Sequence, residues 1–391
     1  MIKHKFLIYL GVGVFSIVRV IAQEKQVKPN ILFIAVDDLK PDLGFYGFKA
    51  VKSPNLDKLA EKSTVFNSNY CQQAVCGPTR ASLLTGLRPD KTQVWDLKTL
   101  IRDKLPNVVT LPQFLKQNGY TTAALGKIFD QRSVDKKHDE ISWSETYKNK
   151  FTYPEAYGPP LLGHYQNPEM KKKYADGANT NIAEVKVSTE CADVPDDAYL
   201  DGAMMKQAVL DLKKYGASGK PFFLAVGIRK PHLPFVAPKK YWDMYKREEI
   251  ELAPWQKPSI DGPKIAYHNS GEMRAYTDIK PIDNDEQLLK LDAAKQRELI
   301  HGYYASISYV DALIGNLLAQ LKSSGLDKNT IIVIWGDHGW HLGDHSLWNK
   351  HSNFEEATKA PLMIHLPNQQ AKMVYNSVTE FVDIYPTLVE L

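Results

Sequence analysis

Continuous apolar runs alternate along the chain with segments whose apolar residues recur at helical spacing. The first run, "NILFIAVDDL" (30–39), stays apolar until it ends in two carboxylates, the pattern of a parallel strand buried on both faces. "SPNLDKLAEKS" then predicts a helix with Ser53 as its cap and Pro54 in its first position. Residues 79–84 predict a short helix, approached through a turn at Cys76, Gly77 and Pro78. "TLPQFLKQNGY" predicts a helix stopped by Gly119, followed by a strand over 121–129. Further on, the pattern predicts a helix around 198–214, a strand over 221–229 and a Pro-rich loop, "KPHLPFVAPKKYW". A long helix over about 293–323 carries Ile300, Tyr304, Ile307, Val310, Leu313, Ile314, Leu317 and Leu321 as a core-facing stripe. Strands over 329–339 and 361–367 complete the series. The alternation defines an α/β fold with a large, mostly parallel central sheet and helices on both faces.

Two stretches break the pattern. Residues 131–197 and 240–290 have weak periodicity, and the first reads equally as an insertion that shapes a cleft and as a plain surface loop. There is no internal repeat. The last residues, "VDIYPTLVEL", stand in the middle of a helical pattern, so a further C-terminal portion is expected.

The N-terminus follows different rules. Residues 1–22 combine Lys3 and Lys5, an apolar run and a small-residue end at Ala22, which reads as a cleaved export signal. The alternative is an uncleaved membrane anchor, against which Arg19 interrupts a short apolar run. Loss of Lys3, Lys5 and Arg19 lowers the formal charge from +4 to +1. A nearly neutral chain without a Lys/Arg stripe gives no reason to expect nucleic acid, so charge for an anionic substrate must be concentrated in a pocket. The mature chain is expected to be periplasmic or secreted, with no stable membrane span. Of its three cysteines, Cys71 and Cys191 either bridge or stay reduced if Cys76 is reserved for chemistry.

Candidate chemistry gathers at the carboxyl ends of the predicted strands, where open α/β sheets bind ligands. Asp37 and Asp38, Lys127, the run Arg229-Lys230-Pro231-His232, and Asp337 with His338 all fall there. Each has a mundane explanation alone, such as capping the next helix; their common edge does not. Three carboxylates at one edge repel unless a cation sits among them, and their hard oxygens suit Ca²⁺ or Mg²⁺. Arg80, Lys127, Lys350 and His232 form a cationic set suited to a tetrahedral oxyanion, which points to transfer of a sulfuryl or phosphoryl group from an ester.

"CGPTR" (76–80) followed by "ASLLTG" resembles the C-x-P-x-R signature of the type I, formylglycine-dependent sulfatases. With "VDDL", "GYTTAALGKIF", "FFLAVGIRKPHLPF" and "GDHGWHLGDHSLWNKHSNF", the resemblance is to the iduronate-2-sulfatase-like branch, from about residue 28 to the end. It implies an alkaline-phosphatase/sulfatase-like sandwich over residues 23–391, with the C-terminal subdomain truncated or absent. It also implies that Cys76 is converted to formylglycine by a formylglycine-generating enzyme. One Ca²⁺ would be held by Asp37, Asp38, Asp337, His338 and the modified Cys76. Arg80 and Lys127 would stabilise the formylglycine alkoxide, while Lys127, His232 and Lys350 would bind the sulfate and His232 would protonate the leaving oxygen.

One position departs from the pattern. The branch has histidine three residues after the active-site lysine; this chain has Asp130. A carboxylate there is expected to repel a nearby substrate carboxylate. The expected activity is hydrolysis of sulfate esters on a polysaccharide-derived oligosaccharide, at 2-O-sulfated uronic acid units. The alternatives are a phosphate or phosphonate monoester hydrolase of the same fold, and a non-catalytic protein that binds sulfated glycans.

Overall fold

The computed structural model describes residues 28–148, 165–170 and 187–391. The expected export signal lies outside the described residues, as does much of the 131–197 stretch.

The centre is a seven-stranded sheet. Its strands, in chain order, are β1 (Asn30–Val36), β2 (Thr64–Phe66), β3 (Thr121–Gly126), β4 (Phe222–Ile228), β5 (Thr330–Gly336), β6 (Leu362–His365) and β7 (Met373–Tyr375). Across the sheet they run β7-β2-β6-β5-β1-β4-β3. The neighbours β3, β4, β1 and β5 are parallel, and β6 runs antiparallel to both β5 and β2. The expected α/β class is borne out, with β6 as the strand that makes the sheet mixed.

The principal helices are α1 (Pro54–Ala60), α2 (Cys76–Thr85), α3 (Leu111–Gln117), α4 (Leu200–Ala217) and α5 (Ala293–Ser323). β1 is buried along its whole length, because successive residues feed two different cores. Leu32, Ile34 and Val36 meet residues of α1, α4 and α5 on one face. Ile31, Phe33 and Ala35 meet residues of α2 and α3 on the other. The stripe along α5 is buried as its periodicity predicts.

Two local expectations are corrected. The helix expected at 79–84 begins at Cys76 itself, because Pro78 lies in the first turn, where the missing N–H costs nothing. Ser53 does not cap α1. Its hydroxyl donates to Asp57 (3.1 Å), and the orphan amides of Asn55 and Leu56 are bound by Asp311 from α5 at 3.1 and 2.8 Å. A cap from a distant helix couples α1 to the longest element of the fold. Cys71 and Cys191 are both unbonded, the first buried and the second exposed.

Candidate active site

Strand register brings the predicted site residues to one edge. Val36 pairs with Ile228 and with Gly336, so Asp37, Arg229 and Asp337 leave the sheet at the same level. Gly126 pairs with Gly227, and Lys127 follows directly. A side chain at Gly227 would place its Cβ 2.2 Å from the Lys127 carbonyl carbon, so glycine there lets Lys127 approach the neighbouring strand.

Arg80 organises the floor of the site. It projects from α2, is completely buried and lies over the Trp335 ring at 5.4 Å. Its Nε donates to Asp337 Oδ2 and its Nη2 to Asp37 Oδ1, both at 3.0 Å, while Nη1 donates to the carbonyls of Lys127 and Ile128. Lys127 Nζ donates to both Asp37 oxygens, at 2.8 and 2.6 Å. Burial opposes ionisation of Asp37, but Lys127 and Arg80 outweigh it and hold the carboxyl well below the usual carboxylate range.

Asp38 has a left-handed backbone, φ 59°. Its amide donates to Asp337 Oδ1 at 2.9 Å, and its carbonyl accepts from the Tyr303 hydroxyl at 2.7 Å. The same hydroxyl accepts the Lys40 amide at 3.0 Å, so α5 clamps the turn after β1. Lys350 Nζ donates to both Asp38 oxygens at 3.0 Å. Burial nevertheless pushes the Asp38 carboxyl up, against His232 and Lys350.

Cys76 stands among these groups, fully buried, with Sγ 3.3 Å from His338 Nε2 and 4.0 Å from Asp38 Oδ1. Burial and the Asp37 charge push its thiol well above the usual range, despite Lys127 and Lys350. A neutral thiol is a poor nucleophile, so the unmodified side chain is unsuited to attack. Ligand atoms of Asp38, Cys76 and His338 lie within 4.8 Å of one another, as do those of Asp37, Cys76 and Asp337. Hard carboxylate oxygens with one imidazole, all buried, fit a divalent cation.

The rim comes from the loop that carries His232 and the short helix Gly271–Arg274 that carries Glu272. His232 Nδ1 is 2.7 Å from the Leu233 carbonyl, and its Nε2 is 2.9 Å from Glu272. Glu272 also pairs with Lys350 at 3.0 Å, bridging two of the predicted sulfate-binding residues. Lys230 turns away from the site: its ammonium donates to the His232 and Pro234 carbonyls at 2.6 Å, and burial draws it down to about 8. Arg229 leads into this loop, its amide bound by Asp201 at 3.0 Å.

Asp130 is buried, but its charge is not free. Oδ1 accepts from the amide and Nε of Arg132 at 3.0 and 2.8 Å, and Oδ2 accepts from Nη2 at 2.7 Å, with Lys127 Nζ 3.7 Å away. These cations offset the repulsion expected between Asp130 and a substrate carboxylate. Sequence reasoning missed Arg132, Glu272 and Tyr303. Only Arg132 had a nearby signal, a cation two residues beyond an unexpected carboxylate.

The fold and this edge define a metal-compatible ester-hydrolase architecture of the alkaline-phosphatase type. The sulfatase family profile matches residues 29–391, and the chain belongs to that family. It is 38% identical over 344 residues to the iduronate 2-sulfatase of Mus musculus, a match covering 88% of this chain and 60% of that protein. The Homo sapiens iduronate 2-sulfatase is 36% identical over 373 residues, covering 94% of this chain and 66% of that protein. The chain thus spans less than two thirds of the length of either relative. Among solved structures, the phosphonate monoester hydrolase SpPMH from Silicibacter pomeroyi shares the fold. Its TM-score is 0.70 at 21% identity, over 93% of this chain and 73% of that one.

Proposed function

We propose that the protein hydrolyses sulfate esters on a polysaccharide-derived oligosaccharide, acting on 2-O-sulfated uronic acid units through a formylglycine made from Cys76. The observation that carries this reading is the convergence of Cys76 on Asp37, Asp38, Asp337 and His338 at one edge of the sheet. Its similarity to two iduronate 2-sulfatases supports the choice of substrate. The protein is exported, periplasmic or secreted, and matured by a formylglycine-generating enzyme.

Asp37, Asp38, Asp337 and His338 would hold one Ca²⁺, together with the modified residue 76. When bound, the ion supplies Lewis-acid polarisation of the sulfate and offsets its charge. A formylglycine at position 76 would supply, when hydrated, a hydroxyl nucleophile that the thiol of Cys76 does not offer. The remaining work falls to side chains already in place. Arg80 and Lys127, locked onto Asp37, stabilise negative charge at position 76 without having to reorganise. Lys350, Lys127 and His232 bind the sulfate oxygens. The Leu233 carbonyl fixes His232 through Nδ1, leaving Nε2 as the atom from which a proton passes to the leaving sugar oxygen.

A second reading, phosphate or phosphonate monoester hydrolysis, is kept because a phosphonate monoester hydrolase shares the fold. The test uses protein co-expressed with a formylglycine-generating enzyme and assayed on a 2-O-sulfated uronate disaccharide and on phosphate and phosphonate monoesters. Faster sulfate release, with an aldehyde or its hydrate at residue 76 by peptide mass spectrometry, is the expected result. Full activity with an intact thiol at Cys76 overturns the formylglycine assignment. Preference for the phosphorus esters selects the second reading.

A further inference from the structure

We infer that Arg132, held in place by Asp130, is a specificity-determining residue that binds a second anionic group on the sugar, beside the sulfate ester being cleaved. The inference rests on the sulfate-ester reading above and names the substrate class more closely.

The turn after β3 builds this device. The Ser133 amide and hydroxyl both donate to the Asp130 carbonyl, at 3.0 and 3.1 Å, which folds the chain back on itself. The Arg132 amide then reaches Asp130 Oδ1, so the carboxylate organises its own turn. Over that turn the guanidinium lies along Asp130 in a two-pronged contact through Nε and Nη2. Asp130 has no free face left for substrate, since Arg132 and Lys127 share its oxygens.

Arg132 does have a free face. A guanidinium carries five N–H groups, and the contact with Asp130 uses the Nε edge. Nη1 makes no hydrogen bond among the described residues, so the Nη1/Nη2 edge remains open to a second oxyanion. The side chain is 46% exposed, whereas Asp130 is 1% exposed, so the pair presents its cationic half outward. Its location is specific as well. Arg132 Nη2 and Lys127 Nζ approach the same oxygen of Asp130, and Lys127 is bound to Asp37 on the floor. The open fork therefore stands one carboxylate away from the lysine assigned to the sulfate. Asp130 is a positioning residue in this scheme: it holds the guanidinium by its Nε edge and so aims the other edge outward.

The second oxyanion is either a uronate carboxylate or a second sulfate, and substrate pairs distinguish them. One pair is a 2-O-sulfated uronate disaccharide and its carboxyl-reduced form. The other is a disulfated hexosamine and its monosulfated counterpart. The readout is the ratio of kcat/KM within each pair for wild type, Arg132→Gln, Arg132→Lys and Asp130→Asn. A charge-assisted contact is worth roughly tenfold or more, so wild type should favour the more anionic member of at least one pair by about that factor. The pair that responds identifies the source of the anion. Arg132→Gln should bring the ratio close to unity, mainly through KM. Arg132→Lys should retain part of it, and Asp130→Asn should reduce it by freeing the guanidinium.

A ratio unchanged in Arg132→Gln, or no preference in wild type for either pair, overturns the inference. If wild type releases sulfate from none of the four compounds, the sulfate-ester reading falls and takes the inference with it. Sulfate release with ratios indifferent to residue 132 overturns the inference alone.

Discussion

The floor and the rim of the site are built on different principles. The floor (Asp37, Asp38, Arg80, Asp337 and His338) is wholly buried and issues from parallel strands and one helix whose positions are fixed by two cores. The rim (Arg132, His232 and Glu272) comes from two loops and the short helix Gly271–Arg274, and is partly exposed. Charges on the floor are locked in pairs, so none can be removed without stranding another. Those on the rim touch solvent and can be exchanged more freely. Chemistry common to a family belongs on the first kind of surface, and the choice of substrate on the second.

The sharpest way to break this contrast is Arg80→Ala. It strands Asp337 in a buried site, leaves Asp37 with Lys127 alone, and should cost roughly 3–5 kcal/mol of stability along with ester hydrolysis. Chemical denaturation that shows no loss would mean the floor is not a locked network. Removal of the proposed cation should have the next largest effect. A chelator should lower the melting temperature, restored by Ca²⁺, because a ligand at 100 times its Kd adds about 2.7 kcal/mol. Identical melting with chelator and with Ca²⁺ would remove the cation from the floor.

Tyr303→Phe probes the joint between the floor and the scaffold. It leaves the Lys40 amide and the Asp38 carbonyl without their partner, at a cost of about 1–3 kcal/mol. A stability change no larger than that of an exposed tyrosine would show that the clamp is dispensable. The rim should respond least. Glu272→Gln removes an anion that competes with sulfate for Lys350 and His232, a repulsion of about 1 kcal/mol at 4 Å in water. KM should fall a few-fold with little change in melting temperature. A rise in KM would make Glu272 a contributor to substrate binding rather than a competitor.

The same division explains what the sequence disclosed. β1, β4 and β5 were legible because strands buried on both faces read as unbroken apolar runs, and their carboxyl ends then named Asp37, Arg229 and Asp337 in advance. The start of α2 was not, since Gly77 and Pro78 look like breakers unless they are known to occupy a first turn. The cap of α1 was assigned to adjacent Ser53, whereas Asp311, far along the chain, provides it. Glu272 lies in a stretch without periodicity, and only tertiary folding brings it to His232 and Lys350. Local pattern reports burial well and long-range polar pairing poorly.

The left-handed backbone of Asp38 limits how the site can drift over evolutionary time. With φ at 59°, position 38 disfavours β-branched and bulky residues whatever their chemistry. Asparagine enters that region with little strain and keeps one side-chain oxygen, whereas glycine fits the backbone and contributes no donor at all. Glutamate retains the charge but lacks the short side chain that eases this conformation. A saturation library at residue 38 should therefore give a nearly empty spectrum of active clones, with asparagine the one substitution that keeps both the turn and a ligand oxygen.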